Sequence, residues 1–261
     1  MIPRILVALI GAPLVLFIAY LGGRPFLYYL IALVVVLAGL EYGSLVQAGT
    51  GGRWMWPASA LSLGMYLAVV EGAVVPAVAL LLIIGAVLLI IEGRPEGFPP
   101  ALMISFGALY IGLPMALLFS LREGAGGLGL FLTVLAITWG YDIGAYFAGL
   151  YLGRRPISPR LSPKKSWEGV AGGLCLSTVA GTAVGAAVGL GGGTAALLGL
   201  VGGVAGQLGD LFESGLKRWA QVKDSGKLLP GHGGILDRVD GLLLVSLVVY
   251  LAQWAGLLVS R

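Results

Sequence analysis

The sequence has little charge and almost no cysteine. Asp, Glu, Lys and Arg make up 11% of its 261 residues, whereas hydrophobic residues make up 58%. A soluble domain carries about a quarter of its residues as charged side chains, so this chain cannot cover a surface that faces water. A single cysteine, Cys175, excludes a disulfide framework. Because Cys175 lies in an apolar segment, we expect a packed, unreactive thiol.

The sequence instead contains long runs of uncharged residues, which predict membrane-spanning helices. Crossing the hydrocarbon layer of a bilayer takes about 20 mostly apolar residues. The uncharged run 169–209 is about twice that length, and the glycines at 189 and 191–193 in its middle predict a turn between two helices. We predict an all-α polytopic membrane protein, a single membrane domain over 1–261 with about nine transmembrane helices. They are expected near residues 4–21, 26–47, 54–70, 73–91, 101–121, 128–152, 168–189, 194–219 and 241–259.

Basic residues predict how the chain is oriented. With nine spans, the N-terminus shares one side of the membrane with the loops after helices 2, 4, 6 and 8, and thirteen of the sixteen Lys and Arg residues fall on that side. The positive-inside rule then places the N-terminus in the cytoplasm and the C-terminus outside. The two richest polar loops, 153–167 and 219–240, lie on the cytoplasmic side. We therefore expect a multi-pass protein of the inner (cytoplasmic) membrane whose main polar loops face the cytoplasm.

Glycines spaced four residues apart predict tight helix packing. Gly181, Gly185 and Gly189 form one such row in helix 7, and Gly199 with Gly203 forms another in helix 8. Small residues at this spacing let helix backbones approach closely in lipid. We expect helices 7 and 8 to pack tightly, either against each other or against a second subunit.

Acidic residues are unevenly distributed along the chain. Residues 1–130 contain no Asp, and seven of the twelve acids follow position 141. An ionisable group inside a membrane helix is costly and normally faces a partner, a water-filled cavity or an ion. Helix 8 has one polar face through several turns; it carries Gln207, Asp210, Glu213, Ser214, Lys217, Arg218 and Gln221. An internal ladder of salt bridges would also produce this stripe.

The segment after helix 8, KDSGKLLPGHGGILDRVD at 223–240, concentrates charge, glycine and the only histidine. Gly231, Gly233 and Gly234 surround His232. Glycines let backbone N–H groups approach a ligand closely, as in an anion-binding nest. This segment is therefore a candidate phosphate-binding loop.

Three carboxylates predict a metal site at the cytoplasmic edge. Asp237 and Asp240 lie three residues apart at the start of helix 9, and Asp210 lies on the polar face of helix 8. Such oxygen ligands are the ones that Mg²⁺ takes up when it also binds phosphate. Asp237 has an alternative role as the N-cap of helix 9, because that position favours Asp in any helix. Asp240 has no such alternative.

Two motifs earlier in the chain also carry charged residues suited to binding metal ions or phosphates. In WGYDIGAYFAG, residues 139–149, Asp142 is embedded in the apolar span of helix 6. The loop RRPISPRLSPKKSWEG, residues 154–169, carries five basic residues, and we expect its prolines to keep it irregular. A positive-inside loop or a patch for anionic lipid would explain the charge, but not Glu168 beside Trp167 at the start of helix 7.

The run SGLKRWAQVKDSGKLLPGHGGILDRVD, residues 214–240, resembles the signature of the phosphatidate cytidylyltransferases (CDP-diacylglycerol synthases). In that family Ser, Lys-Arg, Lys-Asp, Pro-x-His-Gly-Gly and Asp-Arg-x-Asp recur at these spacings. WGYDIGAYFAG, SPKKSWEG and GDLFES also resemble blocks of the family, so the likeness covers about residues 135–245. Residues 1–130 carry no such block, and we expect them to form a helical scaffold for a catalytic half at 131–261.

The resemblance implies transfer of a cytidylyl group from CTP to phosphatidic acid, which gives CDP-diacylglycerol and pyrophosphate. The expected partners are these two substrates, the lipid bilayer and, by the resemblance, a second copy in a homodimer, with no nucleic acid. The expected cofactor is Mg²⁺, and the family adds a monovalent cation such as K⁺. The predicted metal ligands are Asp210, Ser214, Asp237 and Asp240. The predicted catalytic residues are Asp142, Glu168, Lys223, Asp224 and His232. The predicted substrate-binding residues are Lys164, Lys165, Lys217, Arg218, Gly231, Gly233, Gly234 and Arg238.

Two other functions stay open at this point. A transporter also builds ion sites from acids and glycine-broken helices, but its acids should spread across the depth of the membrane and its halves should mirror each other. The sequence shows no internal repeat. A cytidylyltransferase that acts on another lipid phosphate, such as a polyprenyl or ether-lipid relative, would share the same motifs.

Overall fold

The computed structural model describes residues 2–78, 80–83, 100–124, 126–228 and 233–258. These residues fold into nine helices and one short β-hairpin. The helices are α1 (Ile2–Leu21), α2 (Gly23–Thr50), α3 (Met55–Val70), α4 (Val74–Ile83), α5 (Pro100–Glu123), α6 (Gly127–Leu152), α7 (Trp167–Ala187), α8 (Gly192–Trp219) and α9 (Leu236–Trp254). The strands β1 (Pro156–Ser158) and β2 (Ser162–Ser166) lie between α6 and α7.

Five of these helices are long and apolar enough to cross a membrane, namely α2, α5, α6, α7 and α8. The chain is therefore a multi-pass membrane protein, as its sparse charge predicts. Helix α3 is a shorter apolar helix of 16 residues. The total of nine crossings stays a prediction.

The chain folds into two compact units. The first unit comprises Met1–Phe119 and Leu216–Arg238, and the second comprises Ser120–Gly215 and Val239–Arg261. The boundaries between the units fall inside α5, α8 and α9. Each unit carries one polar cluster of interest for function.

Buried tyrosines connect the helices of the first unit. Tyr42 of α2 and Tyr66 of α3 are almost fully buried. The hydroxyl of Tyr42 donates a hydrogen bond to the carbonyl oxygen of Met103 in α5 at 2.8 Å, and that of Tyr66 donates to the carbonyl oxygen of Tyr28 in α2 at 3.1 Å. Buried hydroxyls need such partners, so these bonds fix how α2, α3 and α5 pack.

Glycines bring the backbones of the second unit close together. A Cβ atom on Gly181 of α7 would lie 2.9 Å from the Cα atom of Gly199 of α8. A Cβ atom on Gly144 of α6 would overlap the carbonyl oxygen of Gly172 of α7. Only glycine allows this approach. The glycine rows therefore pack α7 against α8 within one chain, which resolves the choice that the sequence leaves open.

Helix α8 is arranged inside out compared with a surface helix of a soluble protein. Gln207, Glu213 and Ser214 of its polar face are buried, whereas Leu197 and Leu208 expose 59% and 55% of their surface. Exposing a leucine to the lipid of a bilayer carries no free-energy penalty. A polar side chain in a bilayer finds hydrogen-bond partners only inside the protein. The part of the polar stripe that includes Gln207, Glu213 and Ser214 is thus an interior feature of α8, whereas Arg218 near its end is exposed.

Cys175 is exposed on α7, so the expectation of a packed thiol is wrong. The buried positions of α7 are its small residues, including Gly173, Ser177 and Gly181. Cys175 falls on another face of the same helix. Because the lipid-facing side of a membrane helix is also apolar, apolar neighbours in the sequence do not indicate burial.

The loop between α6 and α7 forms a β-hairpin, so the prediction of an irregular segment is wrong. Strands β1 and β2 pair antiparallel, with Pro156 opposite Ser166 and Ser158 opposite Ser162. Both strands of a two-stranded sheet are edge strands, where proline is tolerated because its ring nitrogen can face away from the partner. Pro159 falls in the turn between them. The prolines are therefore compatible with the hairpin, which leads directly into α7.

Candidate functional site

Three carboxylates meet in the second unit and form what we call the acidic cluster. One oxygen each of Asp210, Glu213 and Asp240 lies within 4.8 Å of the others. Asp210 and Glu213 are one turn apart on α8, and Asp240 comes from α9. Glu213 is 1% exposed, and the other two are partly buried. The structure brings together two predicted ligands, Asp210 and Asp240, and adds Glu213, which the sequence places on the polar face of helix 8 without singling it out as a ligand.

A glycine lets the two helices of the acidic cluster approach each other. A Cβ atom on Gly209 of α8 would overlap the carbonyl oxygen of Asp240 and lie 3.3 Å from the Cα atom of Gly241. A side-chain oxygen of Asp240 accepts the N–H of Gly241 at 2.8 Å. Because Gly209 precedes Asp210 directly, the close approach at Gly209 places Asp210 beside the start of α9.

Lys165 and a buried amide flank the acidic cluster. Lys165 of β2 forms an ion pair with Asp210. The hydroxyl of Tyr141 in α6 donates a 2.5 Å hydrogen bond to the side-chain oxygen of Gln207. The amide nitrogen of Gln207 is buried and has no hydrogen-bond partner in the part of the chain that the structure describes. One cation and one amide donor thus stand next to the carboxylates.

A cavity of about 640 Å³ opens at these residues in the second unit. Its polar lining includes Asp142 of α6, Lys164 and Lys165 of the hairpin, and Asp210 of α8. These four residues come from three separate motifs of the sequence. The structure therefore gathers four of the predicted site residues around one space large enough for a small anionic substrate.

The rest of the cavity lining is largely apolar. Tyr146 and Leu150 of α6 line the cavity and expose 63% and 60% of their surface. Ile157 of β1 also contributes. Phe147 and Tyr151 lie on the same helix with stacked rings whose centroids are 6.4 Å apart. An exposed aromatic surface of this kind is typical of the interface between membrane and water.

The spacing of the acidic cluster fits a divalent cation. Three carboxylates within 4.8 Å of one another repel each other when all are ionised. Mg²⁺ binds oxygen ligands in an octahedron at about 2.0–2.1 Å, so ligands on opposite sides of the ion lie about 4 Å apart. A cation among these oxygens would replace repulsion by attraction. The residues present are thus of a type and spacing that could hold a metal ion.

Glu168 fixes the hairpin at the start of α7. Its carboxylate accepts the backbone N–H groups of Arg154 at 3.0 Å and Arg155 at 3.2 Å. The Nε atom of Arg155 lies 3.5 Å from the other carboxylate oxygen, in an exposed ion pair. The hydroxyl of Ser166 caps α7 by accepting the N–H of Gly169 at 3.1 Å. These contacts hold the strand that carries Lys165, while the predicted catalytic role of Glu168 stays a prediction.

Asp237 organises a second polar cluster, in the first unit. One carboxylate oxygen lies 2.6 Å from the ammonium nitrogen of Lys217. The other accepts the N–H of Ser225 at 3.0 Å, its hydroxyl at 2.9 Å and the N–H of Gly234 at 2.8 Å. Helix α9 begins at Leu236, so Asp237 lies inside its first turn and not at the N-cap. Two predicted site residues are therefore paired here, and the role of Asp237 as a metal ligand stays a prediction.

The other predicted residues of the run 214–240 differ in their surroundings. Ser214 is buried in the second unit. Gly233 has a φ of +82°, a left-handed conformation that favours glycine. The exposed residues of this set are Arg218, Lys223, Asp224 and Arg238. Gly231 and His232 lie outside the described residues.

The fold and the two clusters define a multi-pass membrane protein that gathers carboxylates and lysines, the groups that bind metal ions and phosphates. The sequence model of the cytidylyltransferase family matches residues 2–255. The chain therefore belongs to the cytidylyltransferase family and is a nucleotidyltransferase. This membership confirms the resemblance carried by the motifs and excludes the transporter alternative.

Curated relatives agree with this family over nearly the whole chain. A protein of Brucella suis is 35% identical over 95% of this chain and 91% of its own length. A protein of Thermotoga maritima is 35% identical over 95% of this chain and 94% of its own length. A protein of Bacillus subtilis is 42% identical over 56% of each chain. All three bear the name phosphatidate cytidylyltransferase.

Proposed function

We propose that the chain transfers the cytidylyl group of CTP to phosphatidic acid, which leaves CDP-diacylglycerol in the membrane and releases pyrophosphate. The observation that carries this proposal is the cavity of the second unit, where Lys164 and Lys165 lie beside Asp142 and Asp210. The names of the relatives that align with 95% of the chain support the same substrates.

We propose that the acidic cluster holds Mg²⁺. Bound by Asp210, Glu213 and Asp240, the ion would neutralise phosphate charge and stabilise the leaving pyrophosphate. The sequence also predicts Ser214 and Asp237 as ligands, and the family resemblance adds a monovalent cation such as K⁺. The support for the site is the donor set itself, three carboxylates at a spacing that suits an octahedral cation.

The lipid substrate would act as its own nucleophile. Phosphatidic acid is a phosphate monoester with a second pKa of about 6, so it is largely dianionic at pH 7 and needs no strong general base. One of its oxygens attacks the α-phosphorus of CTP, and a new P–O bond forms. The bond to the β-phosphate breaks, and its electron pair leaves with pyrophosphate. The main difficulty is repulsion between two anions, which Lys164 and Lys165 would reduce at the cavity.

The apolar side of the cavity suits the acyl chains of the lipid. Tyr146, Leu150 and Ile157 line it, and the first two are mostly exposed. We propose that the phosphate of phosphatidic acid enters the polar part while its acyl chains stay against this surface and the bilayer. A soluble nucleotide and a membrane lipid can meet only near an interface, so we place the reaction at the cytoplasmic face of the inner membrane.

Two further proposals rest on the family resemblance and the motif distribution. The functional form is a homodimer. Residues 1–130 serve mainly as a helical scaffold, and residues 131–261 carry most of the reacting groups.

A comparison of lipid acceptors tests the proposed substrate. Purified protein in detergent, given Mg²⁺ and CTP labelled with ³²P at the α-phosphate, is expected to label phosphatidic acid. Diacylglycerol should stay unlabelled because it has no phosphate nucleophile. Preferential labelling of polyprenyl phosphate would replace phosphatidic acid by another lipid phosphate, and absence of label on any lipid phosphate would contradict the proposal.

Gly209→Ala is expected to lower the turnover number about a hundredfold. The added methyl group overlaps the carbonyl oxygen of Asp240, so α8 and α9 must separate, and a misplacement of about 1 Å at reacting groups costs about that factor. Gly215→Ala is the matched control, because a Cβ atom at Gly215 of the same helix meets nothing within 4 Å. The control should keep full activity and gain up to about 1 kcal/mol in the free energy of unfolding. Equal activity of the two variants would contradict the importance of this approach.

Thiol labelling tests the proposed orientation. In a Cys175→Ala background, which removes the exposed native thiol, Pro159→Cys should react with a membrane-impermeant reagent only after the cells are opened. Gly124→Cys should react in intact cells, because it lies at the end of α5 that the positive-inside rule places outside. Labelling of the Pro159 position in intact cells would reverse the orientation.

A further inference from the structure

We infer that Glu41, in the apolar helix α2, is a positioning residue. It holds the described residues on either side of the turn before α9 (224–228 and 233–236, called the loop below) and the Lys217–Asp237 pair in the arrangement required for cytidylyl transfer. The functional part of this inference rests on the proposed function. All of the residues involved belong to the first unit. Neither the family signature nor any motif in the sequence includes Glu41.

The carboxylate of Glu41 lies at the start of α9 and binds its backbone. One oxygen accepts the N–H of Ile235 at 2.9 Å, and the other accepts the N–H of Leu236 at 2.8 Å. The second oxygen also lies 3.0 Å from the hydroxyl oxygen of Ser225, whose single proton Glu41 shares with Asp237. The first N–H groups of a helix have no partner within the helix, and a negative charge there is favoured by the helix dipole. Glu41 is thus an N-terminal anchor for α9 supplied from a helix almost 200 residues away in sequence.

Because Glu41 is buried, its carboxylate depends on these hydrogen bonds. Glu41 is 9% exposed, and Ser225 and Leu236 are 4% and 0% exposed. A buried carboxylate is tolerated only when hydrogen bonds replace its hydration. The two backbone donors to Glu41 and the hydroxyl that it shares with Asp237 all come from the loop and the first turn of α9. The carboxylate of Glu41 keeps its hydrogen bonds only if the loop keeps its conformation. The same hydrogen bonds in turn stabilise that conformation of the loop.

Ser225 connects Glu41 to the predicted site residues. Its hydroxyl oxygen lies 3.0 Å from a carboxylate oxygen of Glu41 and 2.9 Å from one of Asp237. The same oxygen of Asp237 accepts the N–H groups of Ser225 and Gly234, and the other pairs with Lys217. A shift of the loop away from Glu41 would therefore move the donors that orient Asp237.

The carboxylate of Glu41 also leaves no room for a side chain at two glycines of the loop. A Cβ atom on Gly226 or on Gly234 would overlap the carboxylate of Glu41. Two positions eight residues apart in the chain, 226 and 234, thus both lie directly against Glu41. Gly234 belongs to the family signature, and this close contact explains why glycine is needed at that position without involving a ligand.

Glu41→Gln is the decisive variant, because it keeps the size of the side chain and removes its charge. Its amide group presents N–H where a backbone N–H needs an acceptor, so at least one hydrogen bond to Ile235, Leu236 or Ser225 is lost. We expect amide exchange in residues 233–238 to become about tenfold faster, and the turnover number to fall about tenfold or more at saturating CTP and Mg²⁺, as for loss of one charge-assisted hydrogen bond. Glu71→Gln is the matched control, since Glu71 is an exposed acid at the C-terminal end of α3 in the same unit.

Ser225→Ala provides a second, milder test that does not remove a buried charge. It should also speed amide exchange in 233–238 and lower turnover, and the double variant should lose less than the product of the two single effects, because both act on one network. Unchanged exchange and turnover in Glu41→Gln, or in Ser225→Ala if the first variant does not fold, would overturn the inference. Altered exchange with unchanged turnover would overturn the positioning role.

The experiment separates this inference from the proposed function. If the unmodified protein does not transfer label to phosphatidic acid, the proposed function fails, and amide exchange still tests whether Glu41 holds the loop. If the unmodified protein is active and Glu41→Gln matches it, only the inference fails.

Discussion

Asp240→Asn is expected to lower the turnover number by about a thousandfold or more while the protein still folds and inserts into the membrane. Asn keeps the size of the side chain and can still accept the N–H of Gly241. It removes one of the three charges of the acidic cluster, and the loss of a metal-ion contact that stabilises developing charge costs several kcal/mol, at about 1.4 kcal/mol for each tenfold. Turnover at increasing Mg²⁺ measures the effect, and high Mg²⁺ should restore activity only in part.

Glu123→Gln is the control for this prediction. Glu123 is an exposed acid at the end of α5 in the same unit, outside the acidic cluster. Its replacement should leave turnover and the Mg²⁺ dependence unchanged. Asp240→Asn with near-normal turnover at ordinary Mg²⁺ would remove Asp240 from the metal site.

Exchanging the charges of the Lys165–Asp210 pair should abolish activity. In a purely structural ion pair, Asp210→Lys combined with Lys165→Asp restores the attraction, so the double variant should be better than either single one. In the proposed site the two charges have different ligands, the cation and the phosphates. The exchange then puts an ammonium group among Glu213 and Asp240, where Mg²⁺ must bind, and repulsion there costs several kcal/mol, or more than about a hundredfold in rate.

The double-variant cycle distinguishes a purely structural ion pair from two charges that bind different ligands. Amounts of folded protein should be similar for the double variant and the unmodified chain, because the ion pair is re-formed. Formation of CDP-diacylglycerol should be undetectable in the double variant and no better than in either single variant. Recovery of activity in the double variant would show that Asp210 and Lys165 serve only each other.

Local patterns were sufficient to predict most helices and the turn between α7 and α8. Helix α7 ends at Ala187, α8 begins at Gly192, and Gly189 between them has a φ of +93°. A run of uncharged residues twice the length of one span, with glycines in the middle, has few other solutions in a membrane. The hairpin at 156–166 was not predictable in this way, because prolines disfavour central strands but not edge strands.

The acidic cluster was predictable only in part. The polar face of helix 8 places Asp210 and Glu213 together, since residues three apart share a helix face. Asp240 joins them through the close approach of α8 and α9 at Gly209, which depends on packing between distant segments. A single sequence contains the glycine but does not indicate which backbone it meets.

Glu41 shows most clearly what a local pattern cannot reveal. It is the one acid in helix α2, and the general rule that ionisable groups in membrane helices need partners could have drawn attention to it. The partners themselves lie 184 to 195 residues further along the chain. Without the fold, nothing in the sequence connects this acid to Ser225, Ile235 and Leu236.

The fate of the CTP phosphates tests the central claim most directly. Purified protein with phosphatidic acid should be assayed in parallel with CTP labelled with ³²P at the α-phosphate or at the γ-phosphate, after chelation and with Mg²⁺ added back in steps. We predict that the α-label appears in CDP-diacylglycerol and the γ-label in pyrophosphate, in equal amounts, and that both are absent without a divalent cation. Transfer of the γ-label to lipid, or equal rates with and without Mg²⁺, would contradict cytidylyl transfer at a metal-binding acidic cluster.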